Sequence, residues 1–139
     1  MAYLLDTGVL TAYLQQRTAI KTLVDPWVSQ GEARTSLLVY GEIVEYFLSL
    51  PNSEKRITQL QHAINVIGAL NVSTAIEERY AVIRRELRPP HGPGIIGDVD
   101  TLIAATAIEH GLTLVTADSD FERVPRLTSM LLPRTHLKA

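Results

Sequence analysis

The sequence predicts an α/β fold, a parallel sheet covered by helices on both faces. Short β-rich runs alternate with longer helical stretches along the whole chain, which is the pattern of parallel strands joined by crossover helices. A length of 139 residues suits one domain, 1–139, with a single sizeable core. No linker, repeat or low-complexity tract interrupts it.

The first run, AYLLD (2–6), is apolar, ends in an acid and reads as a buried strand. Helical stretches follow at 7–16 and 19–31, where Pro26 is expected to kink or divide the second and Gly31 to stop it. EARTS (32–36) reads as a second strand. LLVYGEIVEYFLSL (37–50) is apolar nearly all round, as a buried helix is, and Pro51 and Asn52 end it. Ser53 is a good cap for an amphipathic helix over 53–70. ALNVS (69–73) suits a third strand and 73–87 another helix. RPPHGPG (88–94) holds three prolines and two glycines and excludes helix and ladder alike. A helix then runs from GDVDTLIAAT to about His110, and Gly111 stops it. LTLVTAD (112–118) and TSMLLP (128–133) supply the remaining strands.

Composition narrows the function. Hydrophobic residues make up 46% of the chain and the mean hydropathy is slightly positive, so a partner or a second copy is expected to cover some apolar surface. With no cysteine, disulfides and thiolate metal sites are excluded. The start, MAYLLDTGVL, has no basic stretch and meets an acid at Asp6, so it does not read as a signal peptide. No apolar run reaches the ~18 residues that span a bilayer. A cytoplasmic location and no membrane partner are the resulting expectations. The net charge of -2 means that nucleic acid would have to be held by a local basic patch.

Acids mark the candidate site. In parallel sheets, ligands bind beyond the carboxyl ends of the strands. Asp6 ends the first strand, Asp118 lies just beyond a late one, and Asp98 and Asp100 open a helix that packs on the sheet. Glu42 lies among Leu38, Val39, Tyr40, Ile43, Val44 and Tyr46, where an unpartnered carboxylate is costly. Gly41 beside it leaves room for a close approach. Each acid also has a plainer explanation. Asp6 and Asp98 suit helix caps, and Asp100 suits a first helical turn. Asp118 and Asp120 suit a turn, while Glu42, Glu45 and Ser49 suit the solvated edge of a helix. Carboxylates gathered from separate parts of the chain repel one another, and a hard divalent cation removes that cost. Magnesium takes oxygen ligands and keeps several waters. It suits phosphodiester hydrolysis because it polarises a phosphate oxygen and lowers the pKa of bound water.

Three pieces in order carry a family resemblance: YLLDTGVL with Asp6, TSLLVYGEIVE with Glu42, and IIGDVDTLIAATAIEHGLTLVTADSDFERVP with Asp100, Thr116 and Asp118. The chain resembles the PIN-domain family, and within it the VapC-type toxin ribonucleases, over essentially its whole length. The resemblance implies a three-layer α/β/α sandwich with a central parallel sheet. It also implies an endoribonuclease dependent on magnesium or manganese (Mg2+ or Mn2+), a homodimer, and an antitoxin partner that reaches the acidic pocket. Carried over by position, Asp6, Glu42, Asp100 and Asp118 are the catalytic acids, with Asp6, Asp100 and Asp118 as metal ligands and Asp98, Glu42 or Asp120 as further ones. Thr7 and Thr116 support them. Gly8 departs from the family pattern, which has Ser or Asn there in many members.

Arg84, Arg85, Arg88, Arg123 and Arg126 flank the expected mouth and suit phosphate, although each equally suits a solvated helix face. His62 and His110 read as helix-surface residues and His91 as incidental. A Ser-His-Asp triad, a zincin helix and a GxGxxG loop are all absent. A catalytically weak RNA- or protein-binding module on the same fold is the alternative, and the complete set of acids disfavours it. An aspartyl phosphatase using Asp6 would want a second acid at position 8, which is Gly.

Overall fold

In the computed structural model, which describes residues 1–139, five parallel strands form one sheet in the order β3-β2-β1-β4-β5. The strands are β1 (Tyr3–Leu5), β2 (Ala33–Ser36), β3 (Ala69–Leu70), β4 (Thr113–Thr116) and β5 (Ser129–Leu131). Six helices pack on them: α1 (Thr7–Leu14), α2 (Thr18–Ser29), α3 (Leu37–Leu48), α4 (Ser53–Ile67), α5 (Thr74–Leu87) and α6 (Asp98–Glu109). The expected α/β architecture with a central parallel sheet is therefore the observed one.

The strand order explains where a site belongs. From β1 the chain moves outward to β2 and β3, then returns to place β4 on the other side of β1. Strand order thus reverses between β1 and β4, and the crevice beyond their carboxyl ends is the topological switch point. Right-handed crossovers send α1 to α4 to one face and α5 and α6 to the other. Helix packing agrees: α1 lies against α2, α3 and α4, whereas α5 lies along α6. The central strands are covered from both sides, and Leu4, Leu5, Leu114 and Val115 are fully buried.

Several boundaries differ from the sequence expectation. Helix α2 runs unbroken through Pro26, which stands on an exposed surface near its end. Asn52, in the left-handed region at φ 58°, holds the position before α4, so Ser53 is its first helical residue rather than its cap. Gly68, at φ 87°, ends α4 early and leaves only Ala69 and Leu70 to pair with β2. Helix α3 is not buried all round. Val39, Ile43 and Phe47 form its inner stripe, while Leu37, Tyr46 and Leu48 are 44%, 42% and 63% exposed. Its outer apolar residues face away from the core of this chain. No helix is long and apolar enough to cross a membrane.

Candidate active site

Beyond the ends of β1 and β4, an open cleft of about 430 Å³ is lined by Asp6, Glu42, Asp100 and Asp118, together with Thr7, Gly8, Ala117, Arg134, Leu137 and Lys138. Each acid reaches it by a different local route. The Asp6 amide donates to the Val115 carbonyl (3.0 Å), so the ladder between β1 and β4 carries through to Asp6 and sets its carboxylate at the switch point. Asp6 stands before α1 but makes no capping bond with it. The Thr116 hydroxyl, at the end of β4, donates to Asp6 Oδ2 (2.6 Å) and accepts the Asp118 amide (3.1 Å), tying two of the acids to one buried oxygen.

Helix α3 brings Glu42. Its start is set by Ser36, the last residue of β2, whose buried hydroxyl accepts the Leu38 amide (3.1 Å). Glu42 follows in the second turn, where its carboxylate accepts a bond from the Thr7 hydroxyl (2.6 Å). The solvated-edge alternative therefore does not describe Glu42; Glu45 and Ser49 are the exposed members of that stripe. Asp100 stands in the first turn of α6, half-buried. The next residues of that helix are almost all buried and mostly small, which lets α6 lie close to α5 and the sheet. Asp118 also accepts the Asp120 amide (2.9 Å), capping a short 3₁₀ helix, Ser119–Arg123.

Gathering these groups has an electrostatic cost. Asp100 is pushed up from 3.8 to about 6, by burial first and then by the charges of Asp6, Glu42, Asp118 and Asp120. Burial likewise raises Asp6, more than its Thr116 bond lowers it, and Glu42 and Asp118 add to the rise. No three acidic side chains close on a single point. The cleft is thus a spread set of hard oxygen donors rather than a cage.

A family model for the PIN domain matches residues 3–127. The chain belongs to the PIN-domain family. Ribonuclease VapC11 of Mycobacterium tuberculosis is 32% identical over 129 residues, covering 91% of this chain and 94% of the relative. Among solved structures, VapBC2 from Rickettsia felis, bound to a promoter DNA fragment, superposes with a TM-score of 0.83 at 23% identity, covering 95% of this chain and 99% of that one. A toxin–antitoxin complex from Klebsiella pneumoniae gives 0.71 at 22%, covering 94% and 100%. These structural likenesses establish the fold.

Other expected residues of this PIN domain lie elsewhere. Asp98 is neither a cap nor part of the cleft. Gly97 holds the cap position of α6, and the Asp98 carboxylate turns to α5, where it accepts the Tyr80 hydroxyl (2.8 Å) and pairs with Arg84 (2.9 Å). Arg84 also donates to the Ile96 carbonyl (3.2 Å), so it binds the approach to α6 rather than standing free for phosphate. Arg123 pairs with Asp120 (3.3 Å), and Arg126 forks onto both carboxylate oxygens of Glu86. Asp120 therefore neighbours the cleft without lining it. Arg85 and Arg88 are exposed and outside the cleft. Sequence reasoning named neither Arg134 nor Lys138, the two cations that do line it. A run of basic residues and His136 in PRTHLKA (133–139) was the available signal.

Proposed function

We propose that this PIN domain is a divalent-metal-dependent endoribonuclease, the toxin of a type II toxin–antitoxin pair. The observation that carries the reading is the convergence of four carboxylates on one open cleft, with Asp100 held up to about 6 by burial and its acidic neighbours. The ribonuclease names of its curated relatives support it. The donor set fits the group it would hold: magnesium or manganese takes carboxylate oxygens and water, and magnesium is bound through one or two carboxylates with several waters retained rather than by a closed cage. Asp6, Asp100 and Asp118 would hold it, in part through the waters it keeps. Bound there, the ion would lower the pKa of water and offset charge on the phosphate.

The chain's own residues do the rest. Thr116 holds Asp6 and the start of the Asp118 turn in register. Thr7 orients Glu42, whose carboxylate lines the cleft and would take the proton of a water attacking there. A cognate antitoxin inhibits by extending a basic side chain among these acids, and the cytoplasm is the compartment in which such a pair works.

Cleavage of a panel of structured RNAs in magnesium tests the reading. Wild type is expected to cut, chelator to stop it, and Asp6→Asn to be inactive. Asp98→Asn is expected to cut at a rate within roughly threefold of wild type, because Asp98 bonds α5 and not the cleft. A fall of orders of magnitude in Asp98→Asn would make it a metal ligand after all.

The protein is also proposed to form a twofold dimer. Leu37 and Val99 stand exposed beside a groove between α3 and the start of α6, and the α3 surface continues through Tyr46 and Leu48. Sedimentation at tens of micromolar, roughly the range for modest interfaces, is expected to give a dimer; a clean monomer would refute it.

A further inference from the structure

A cleft of four carboxylates repels a polyanion, so an RNA substrate needs cations close beside the acids. Most arginines near the mouth are already committed: Arg84 to Asp98, Arg123 to Asp120 and Arg126 to Glu86. The cations in the cleft wall are Arg134 and Lys138. Neither forms an ion pair with Asp6, Glu42, Asp100, Asp118 or any other acid. They come from one segment, residues 133–139, whose 3₁₀ helix, Arg134–Leu137, lies against α1 and α2.

The segment is held in place at three points. Where it leaves β5, the Leu132 amide donates to the Thr116 carbonyl (2.7 Å), on the same residue that fixes Asp6. At its far end the Thr18 amide donates to the Ala139 carbonyl (3.2 Å). Between them, Leu137 packs over α1 at Gly8, where an added Cβ would stand 3.2 Å from Leu137 Cδ1. At position 8, where the chain departs from the family pattern, a side chain would require Leu137 to shift by a few tenths of an ångström.

We propose that residues 133–139 form a phosphate-binding wall of the cleft, in which Arg134 and Lys138 hold RNA backbone phosphates flanking the bond that is cut. The proposal rests on the ribonuclease reading above. The arginine fork matches a phosphate at two points, and the lysine adds a mobile point charge. Gly8 and Leu137 are positioning residues that set the wall against the acids.

The test is equilibrium binding of a short single-stranded RNA, read by fluorescence anisotropy over a salt series, on Asp100→Asn protein so that cleavage does not intervene. Adding Arg134→Gln and Lys138→Gln together is expected to weaken binding roughly tenfold or more at ~0.15 M salt. The logarithmic salt dependence should become shallower by about 1.4, since each single-strand phosphate that is no longer neutralised takes ~0.7 from the slope. Leu137→Ala keeps both charges and is expected to weaken binding less, without the full change in slope. In the active protein, Arg134→Gln should raise KM more than it lowers kcat. Unchanged affinity and slope in the double variant, with an unchanged melting temperature, would overturn the wall. So would tighter RNA binding or faster cleavage, which would make the segment a cover over the acids. If the Asp100→Asn parent binds RNA through these cations but the wild-type protein cuts no RNA in magnesium, the wall stands and the ribonuclease reading falls. If wild type cuts and the double variant binds as its Asp100→Asn parent does, the wall alone falls.

Discussion

Asp100→Asn is expected to lower metal-dependent RNA cleavage by roughly a hundred- to a thousandfold while making the metal-free protein more stable. The substitution keeps size and first-turn position but removes one charge from the cleft. If Asp100 served only the N-terminus of α6, cleavage would persist, since Asn also suits that end of a helix. The stability sign follows from its titration. Its carboxyl sits at about 6 in the folded protein against an ordinary 3.8, so the folded state favours the protonated form. The associated stability is complete below the ordinary value and is lost as pH rises through about 6. At pH 7.5 in chelator, wild type therefore carries a penalty of about 1 kcal/mol, reduced from the bare shift because Asp100 is half-exposed and water screens it. Asn removes that penalty, which corresponds to roughly 3 °C in Tm. The gain should shrink toward pH 4 as the wild-type carboxyl takes up its proton. Melting curves at the two pH values, beside cleavage rates in saturating magnesium, check both halves; near-normal cleavage would remove Asp100 from the reaction.

Thr116→Val is expected to cost about 1–2 kcal/mol of stability and to slow cleavage at least about tenfold. The shapes match, so the loss isolates the hydroxyl. That one oxygen donates to Asp6 and accepts the Asp118 amide, in a position 1% exposed. Without it, Asp6 loses the bond that pulls its pKa down against burial, and its carboxyl rises further. The Asp118 amide loses its acceptor and the turn loosens. Thr116→Ser restores donor and acceptor together and should recover both stability and rate. A Val variant that melts lower yet cuts normally would reduce Thr116 to a purely structural role.

The acids were legible because of where acids are tolerated. Asp6 and Asp118 terminate β-rich runs, where ligands of a parallel sheet bind, and Glu42 stands among apolar neighbours, where an unpartnered carboxylate is costly. Asp98 misled because charge beside a helix start has several uses, and sequence does not say which neighbour a surface carboxylate will meet. Tyr80 and Arg84, on α5, claimed it. The arginines misled in the same way: proximity in sequence to the mouth says nothing of Glu86, which stands 40 residues before Arg126 and binds it.

Alternation of short apolar runs with helical ones determined the parallel sheet from the sequence by itself, because only crossover helices join parallel strands and cover both faces. The acids at strand ends made an acidic site suited to a hard cation the expectation. Tertiary structure decided the rest. The return of the chain across β1 to form β4 placed Asp6 beside Thr116, 110 residues away, and the packing of α3 and α6 over that edge brought in Glu42 and Asp100. It also folded residues 133–139 back over Gly8, putting Arg134 and Lys138 at the cleft. A basic run at that distance carries no periodicity that points to α1; the two meet only in the folded chain, where Leu137 lies over Gly8.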